Sequence, residues 1–231
     1  MIRKIDKLKE KSTSRKKNVM VRLIHSLSVI MILATSVFAQ DKIDSLRAII
    51  KNDPDNIQAL TALGVFYHDL GVEGDKNAVE KGEQLFEKVL SLDSDNAFAT
   101  GYYGSILSLK ARDAKMPWSK IKYAKKGFEQ LDKSIQMNPD DLDVRLIRAM
   151  NSYQVPKIMK RLPVALEDFD FIINHKAFES WTADHRAFVY LHFGKALEKD
   201  DQHENAKHYF ELAVTEAPDS KSAIEAREIF K

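Results

Sequence analysis

One group of residues in the sequence could form an anion-binding site. Arg145, Arg148 and Ser152 are spaced three and four residues apart, so an α-helix would place them on one face. Two forked guanidinium groups on one face can clamp a carboxylate or a phosphate. The alternative is that the arginines pair with acidic residues of a neighbouring helix, such as Asp168 or Asp170. Structural ion pairs outnumber ligand sites, which favours this alternative.

A second candidate site is a basic segment at residues 110–126. It contains seven Lys or Arg residues and one acid, with Met-Pro-Trp near its centre. A basic loop with an exposed aromatic residue can dock on anionic lipid headgroups or on an acidic partner. The alternative, which is the usual one for charge runs, is a solvated turn with the tryptophan folded back onto the protein. The candidate contact residues are Trp118, Lys120, Lys122, Lys125 and Lys126.

Histidines are the remaining candidates for catalytic or metal chemistry. His185 and His192 are two helical turns apart, and neither they nor His203 and His208 show the close pairing with a carboxylate that makes a zinc motif specific. We interpret them as surface or packing residues. The sequence also contains no phosphate loop, nucleophile elbow or paired-carboxylate motif. It therefore predicts no catalytic residue, no metal site and no cofactor, and it favours a function other than catalysis.

These candidate residues are positioned by a repeated unit. Ala206, Phe210, Ala213 and Pro218 stand at offsets 0, 4, 7 and 12, and the offsets recur upstream, with a degenerate copy starting at residue 42. The last positions of successive copies are separated by roughly 40 residues, a period typical of repeat architectures. The three clear upstream copies are Gly82, Phe86, Val89 and Ser94; Gly127, Leu131, Ser134 and Pro139; and Ala165, Phe169, Ile172 and Ala177.

A second pattern precedes these copies, with a glycine at offset 4 among larger residues at offsets 0, 3 and 7. Such offsets place four side chains on one face of an α-helix. Each repeat is thus predicted to be two amphipathic helices, in which the small residue lets the partner helix approach and the large residues fill the space beside it. The clearest examples are Leu60, Leu63, Gly64 and Tyr67; Thr100, Tyr103, Gly104 and Leu107; and Tyr190, Phe193, Gly194 and Leu197.

Together the two patterns resemble the tetratricopeptide repeat family, whose unit is a 34-residue helix–turn–helix. The resemblance implies an all-α, right-handed α-solenoid of tetratricopeptide-like helix hairpins with N- and C-terminal capping helices. The implied boundaries are a capping helix at 40–56, four repeats at about 57–96, 97–141, 142–179 and 187–220, and a second capping helix at 221–231. The signature positions are Gly64, Tyr67, Gly82, Phe86, Gly104, Gly127, Pro139, Ala165, Phe169, Tyr190, Gly194, Ala206, Phe210, Ala213 and Pro218.

The spacing between the small residues of the two helices varies among the repeats. It is shortest in the last repeat, from Gly194 to Ala206, and longest in the second, from Gly104 to Gly127. We expect the extra residues to enlarge the turn within each hairpin, because insertions there leave the stack of repeats intact. Enlarged turns of this kind often carry specific function.

The resemblance also implies a function. It predicts a protein-interaction or scaffolding module that binds a peptide or partner protein in the groove lined by the first helix of each repeat. The alternative is a peripheral module that holds anionic lipid or an acidic ligand through the basic segment. The family's best-known peptide site is a carboxylate clamp, and its positions here lack the required cations. Those positions are Gln58, Thr61, Val65 and His68, then Phe98, Gly101, Ser105 and Ser108.

The first 39 residues have the pattern of a secretory signal peptide. Basic Arg22 precedes an apolar run at 23–38, and small Ala39 stands before Gln40, the expected cleavage point. Met20 is an alternative start that would give a leader of ordinary length. A retained membrane anchor is the other interpretation, but the run is shorter than the roughly 20 apolar residues that a spanning helix needs. The sequence thus predicts an exported protein, periplasmic or secreted.

Removal of that leader changes the charge balance. Residues 1–39 contain nine of the 36 basic residues and two of the 34 acidic ones, so the remainder has a net charge of −5. This balance predicts no nucleic-acid partner. The chain has no cysteine, which excludes disulfides and thiolate chemistry.

Overall fold

The computed structural model describes residues 40–229, and these contain ten α-helices, two short 3₁₀ helices and no strand. Helix α1 covers residues 40–52 and belongs to a unit that ends at Pro54. The rest of the described chain, from Asp55, forms a second compact unit. The predicted signal peptide at 1–39 lies outside the described residues. The predicted capping helix at 40–56 is helical over 40–52, and its capping role stays a prediction.

The second unit consists of four helix pairs and a final helix. Its α-helices are α2 (Ile57–Val72), α3 (Lys76–Leu92), α4 (Ala97–Asp113), α5 (Pro117–Met137), α6 (Leu142–Gln154), α7 (Leu162–Asn174), α8 (Ala183–Lys199), α9 (His203–Glu216) and α10 (Lys221–Ile229). The 3₁₀ helices are Lys157–Met159 and Lys176–Ser180.

The helix pairs form a stack. Helix α2 packs on α3, α4 on α5, α6 on α7 and α8 on α9, while the first helix of each pair also contacts the first helix of the next. Helix α10 packs against α8 and α9, where the second capping helix was predicted. The prediction of an all-α solenoid built from helix pairs is therefore confirmed. No helix in the described part of the chain is long and apolar enough to cross a membrane.

Four helices, α2, α4, α6 and α10, begin with the same hydrogen-bonding scheme. The residue before each of these helices is an N-cap whose side-chain oxygen accepts the backbone N–H three residues further on, at 2.9–3.1 Å. The proline or serine of the repeat pattern precedes this cap by two residues. It lies outside the helix, where the missing N–H of a proline is tolerated. The caps are Asn56, Asn96, Asp141 and Ser220.

The glycines of the pattern lie where helices touch most closely. A Cβ atom on Gly64 would lie 2.9 Å from the Phe86 ring, and one on Gly194 would lie 2.6 Å from the Phe210 ring. Real Cβ atoms almost never approach other heavy atoms this closely, so each glycine makes room for the large side chain of the partner helix. The small and large residues of the sequence pattern thus correspond to direct contacts within a helix pair.

The prediction of enlarged turns is wrong for two of the three longer repeats. Helices α2 and α3 are joined by residues 73–75, and α4 and α5 by residues 114–116. The extra residues extend the helices instead, and α5, with 21 residues, is about 31 Å long. Among the connections within helix pairs, only the one between α6 and α7, at 155–161, is longer. It contains the first 3₁₀ helix.

Candidate functional site

The first helices of the pairs line a groove on one face of the stack, which we call the front groove. It encloses about 600 Å³ between α2, α4 and α6, with one residue contributed by α8. Apolar side chains provide most of its surface, as is usual for ligand-binding clefts. They include Val72, Leu109, Leu146, Ile147, Met150 and Phe188.

A chain of hydrogen bonds crosses this groove from α2 to α6. His68 Nδ1 lies 3.1 Å from Asp69 Oδ1, and His68 Nε2 lies 2.7 Å from Ser105 Oγ. Asn151 Nδ2 donates to Ser105 Oγ at 3.0 Å and to the backbone oxygen of Ile147 at 2.8 Å. Three helices therefore hold their polar side chains in one connected arrangement.

The network assigns a direction to each hydrogen bond. A carboxylate only accepts, so the His68 proton is assigned to Nδ1, facing Asp69, and Nε2 accepts from the Ser105 hydroxyl. Both protons of the Asn151 amide are then used, by Ser105 and by the Ile147 carbonyl. The Asn151 side-chain oxygen also lies 3.3 Å from Ser105 Oγ. A carbonyl oxygen has two lone pairs, so it can still accept from an N–H group that enters the groove.

The order Asp69, His68, Ser105 matches the hydrogen-bonded order of a serine-hydrolase triad, but the surroundings differ. A hydrolase needs N–H donors at the point where a carbonyl oxygen becomes negative. Ser105 lies inside α4, whose backbone N–H groups serve the helix, and only 4% of the residue is exposed. The arrangement therefore fixes polar side chains rather than exposing a nucleophile.

Tyr102 forms one wall of the groove. Its ring stacks on buried Phe86 with centroids 5.4 Å apart and meets the His68 ring edge-on at 5.0 Å. Burial raises the pKa of Tyr102 to about 12, and the nearby carboxylates of Asp69 and Asp143 act in the same direction. The hydroxyl is therefore protonated at neutral pH and is available as a donor.

Both arginines of the candidate clamp are bonded to a buried acid. Arg145 Nη1 donates to Asp168 Oδ1 at 2.8 Å, and Arg148 Nε donates to Asp168 Oδ2 at 2.7 Å. The two arginine side chains are only 10% and 12% exposed. Ser152 is buried too, 3.4 Å from Arg161 Nη2. The alternative, pairing with Asp168, is confirmed.

This ion-pair cluster joins α5, α6 and α7. Arg161 donates to both carboxylate oxygens of Asp132, at 2.9 and 2.7 Å, and Arg148 donates to Asp132 at 3.3 Å. The Arg161 guanidinium also lies 4.7 Å from the centre of the Phe128 ring. Burial raises the pKa of Asp168, and its hydrogen bonds and charge interactions with the arginines oppose that effect. The cluster holds these helices together, and none of its three arginines lines the front groove.

The basic segment is helical except at residues 114–116, and its charges fall into two groups. Lys110 pairs with Glu83 at 2.6 Å, and Arg112 pairs with Asp113 and donates to the Gly71 carbonyl at 2.8 Å. The remaining lysines of the candidate site are exposed. Trp118 is 68% exposed, so the interpretation that it folds back onto the protein is wrong. The exposed lysines are Lys120, Lys122, Lys125 and Lys126.

The histidines of the sequence analysis have aromatic neighbours. His185 stacks on Trp181 at 4.2 Å, and His192 Nδ1 lies 2.6 Å from the Tyr153 hydroxyl. Burial lowers the pKa of His192 to about 3, so its ring is neutral. Across residues 40–229 no three His, Asp or Glu side chains are grouped closely enough to hold a metal ion.

The sequence analysis did not identify the hydrogen-bonded residues of the front groove as a site. His68 and Ser105 stand at positions that correspond to the carboxylate clamp of the tetratricopeptide repeat family. They are not cations, so the sequence does not predict a clamp there. The clamp positions could nevertheless have located the front groove, because they identify which side chains face it.

Comparison with known proteins agrees with this fold. The family model of the tetratricopeptide repeat matches residues 189–220. No curated protein sequence matches the chain. The crystal structure of TTC0263, a thermophilic TPR protein of Thermus thermophilus, superposes with a TM-score of 0.66 and 12% identity. That match covers 85% of this chain and 94% of the other.

Two further solved structures are similar over most of their length. The crystal structure of MamA matches with a TM-score of 0.47 and 21% identity, covering 75% of this chain and 85% of that one. The structure of YrrB, described as a TPR protein with an unusual peptide-binding site, has a TM-score of 0.38 and 18% identity, over 80% and 99% of the two chains. The last repeat thus matches the tetratricopeptide repeat, and the described chain shares its fold with the TTC0263 structure.

Proposed function

We propose that this protein is an interaction module whose front groove binds an extended peptide segment of a partner protein. Tetratricopeptide repeat proteins are generally non-catalytic interaction modules. The observation that carries the proposal is the hydrogen-bonded chain of His68, Ser105 and Asn151 across α2, α4 and α6. It presents fixed polar groups in a groove whose surface is mostly apolar, the combination that gives a binding site both affinity and orientation.

The dimensions of the groove suit a short extended segment. Neighbouring packed helices are about 8–10 Å apart, so the distance from α2 to α6 is roughly 16–20 Å. An extended chain rises about 3.3 Å per residue, so five or six residues cover this distance. The Asn151 side-chain oxygen would accept a peptide N–H, and the Tyr102 hydroxyl would donate to a peptide carbonyl.

The charges of the groove favour a partner of a particular composition. Asp69 has a side chain that is 69% exposed, and Glu73 is exposed beside it at the α2 end. Arg112, the basic residue at that end, is already paired with Asp113. We therefore expect a peptide with apolar side chains near Met150 and a basic residue near α2, and no requirement for a terminal carboxylate.

A displayed library of random heptapeptides, selected on the full chain, tests this proposal. The affinity of the selected peptides is then measured for two groove variants, Asn151→Ala and Met150→Glu. We expect a five- to tenfold loss for Asn151→Ala, since one hydrogen bond contributes about 1 kcal/mol, and no measurable binding for Met150→Glu. Helical content measured by circular dichroism shows whether each variant is folded.

The matched control is Ile158→Glu, which introduces the same charge on a side chain that is 86% exposed outside the groove. It should bind the selected peptides as tightly as the unchanged chain. Equal binding by Met150→Glu and Ile158→Glu would show that the peptides do not occupy the groove.

We also propose that the chain is exported, on the evidence of residues 1–39 in the sequence alone. A basic residue, an apolar run and a small residue before Gln40 favour cleavage at that point. N-terminal sequencing of the protein recovered from its native cell envelope or medium should begin at Gln40. An intact leader in that preparation would support the membrane-anchor alternative instead.

A further inference from the structure

The end of the α4–α5 hairpin carries a surface that the groove does not use. We call residues 115–126 the basic tip. Three of its apolar side chains are exposed: Met116 by 50%, Trp118 by 68% and Ile121 by 65%. Singly exposed apolar residues are ordinary, but three within six residues, including a tryptophan, are typical of an interaction surface.

The tip begins beyond the contact between α5 and the α6–α7 connection. The α6–α7 connection packs against α5 at Phe128, through Arg161. Trp118 precedes Phe128 by ten residues, which is about 15 Å along a helix. The first turns of α5 therefore extend past that contact. Their outer face combines apolar side chains with lysines. Trp118, Ile121, Lys122 and Lys125 stand at offsets 0, 3, 4 and 7 and share one helix face.

The charge of the tip is opposite to that of the rest of the chain beyond the leader. Its exposed lysines are accompanied by two nearby acids: Asp113, which is paired with Arg112, and Glu129, whose carboxylate lies 4.0 Å from Lys125 Nζ. Residues 40–231 together have a net charge of −5, so the positive charge is local. The exposed lysines are Lys115, Lys120, Lys122, Lys125 and Lys126.

We propose that the basic tip docks on a membrane surface that contains anionic lipid. Met116, Trp118 and Ile121 enter the headgroup region, and the surrounding lysines contact lipid phosphates. A helix with exposed apolar side chains flanked by lysines has the composition of an interfacial anchor. A protein partner would need a cavity to accept the exposed Trp118 side chain, whereas a bilayer accepts it without one.

The two tryptophans of the chain allow a direct test. In a Trp181→Phe variant, which keeps an aromatic ring at the partly buried position beside His185, Trp118 is the sole source of tryptophan fluorescence. The variant is mixed with vesicles of phosphatidylcholine alone, or of phosphatidylcholine with phosphatidylglycerol. We expect a blue shift of the emission and quenching by brominated lipid, only with the anionic vesicles. This readout reports the tip whether or not the apolar run at 23–38 also binds lipid.

Lysine variants measure the electrostatic contribution. Each lysine near an anionic surface contributes about fivefold to partitioning, so Lys122→Gln with Lys125→Gln should weaken the Trp118 response on the order of 25-fold. The matched control, Lys176→Gln with Lys207→Gln, removes two exposed lysines elsewhere and should leave the response unchanged. The response should also fall as ionic strength rises.

Three results would overturn the proposal. They are an unchanged Trp118 emission with anionic vesicles, an equal shift with neutral vesicles, and an equal loss in the two lysine variant pairs. Binding of soluble poly-aspartate with no response to vesicles would indicate an acidic protein partner and would also overturn it.

Discussion

Asp168 lies on α7 with a side chain that has no exposed surface, between the guanidinium groups of Arg145 and Arg148 from α6. In the third helix pair this buried ion pairing adds to the packing of Ala149 against α7 residues such as Ala165 and Phe169. Removing charged groups from water is costly, and the cost is offset here because each carboxylate oxygen is hydrogen-bonded. The cluster is thus sensitive to the loss of any one member.

Replacement of Asp168 by alanine tests this at the residue scale. It leaves two buried guanidinium groups without their principal partner, and we expect the free energy of unfolding to fall by about 3–5 kcal/mol. Urea denaturation followed by circular dichroism measures the change. Asp201→Asn, which breaks an exposed pair with Lys157, is the control and should leave the denaturation midpoint in place. A midpoint for Asp168→Ala equal to that of the control would contradict this role.

The sequence could predict the partner of the arginines but not the residues of the front groove. An acid on the next helix, such as Asp168, is visible in the repeat pattern. His68, Ser105 and Asn151 lie in three different repeats, 37 and 46 residues apart. Their hydrogen bonds depend on how far one helix pair rotates against the next, which no local spacing specifies.

Helices α4 and α5 approach each other backbone to backbone. A Cβ on Gly104 would lie 2.8 Å from the backbone oxygen of Gly127 and 3.0 Å from the backbone nitrogen of Leu131. Backbone atoms cannot rotate aside as a side chain can, so an alanine here would push the helices apart. Gly101 is on the same helix, yet the nearest atom to its Cβ would be Ser134 Oγ, at 3.4 Å.

These two glycines make a matched pair of predictions at the element scale. Gly104→Ala should destabilise the protein by about 1–3 kcal/mol, the usual cost of overpacking. Gly101→Ala should have no cost and should stabilise by about 0.4–1 kcal/mol, because alanine loses less backbone entropy in a helix. Thermal and urea denaturation of both variants measure the difference. Equal effects would mean that the α4–α5 contact is looser than described.

At this scale the sequence predicted the helix pairs well because the small and large positions correspond to contacts between partner helices. It failed for the basic segment. Seven basic residues in 110–126 suggested a loop, but lysine, arginine and alanine also favour helices, and Pro117 is suited to the first turn of one. The basic charge of the segment therefore could not distinguish a turn from the exposed ends of two long helices.

In the unit that begins at Asp55, the front groove and the basic tip are separate surfaces of one stack. The groove is lined by the first helices of the pairs, whereas the tip is the end of the α4–α5 hairpin. A peptide in the groove and a bilayer at the tip would therefore use different residues. The effect of salt concentration distinguishes the two kinds of binding. Binding at the tip should weaken as ionic strength rises, while largely apolar groove contacts persist.

Site-specific cross-linking tests the central claim, that the front groove holds the peptide, most directly. A benzophenone amino acid is placed at Gln154, which lines the groove on α6, or at exposed Lys207 on α9, and the chain is irradiated with a selected peptide. We predict a cross-linked product from position 154 and none from position 207. Cross-linking from 207 alone, or equally from both positions, would contradict the account.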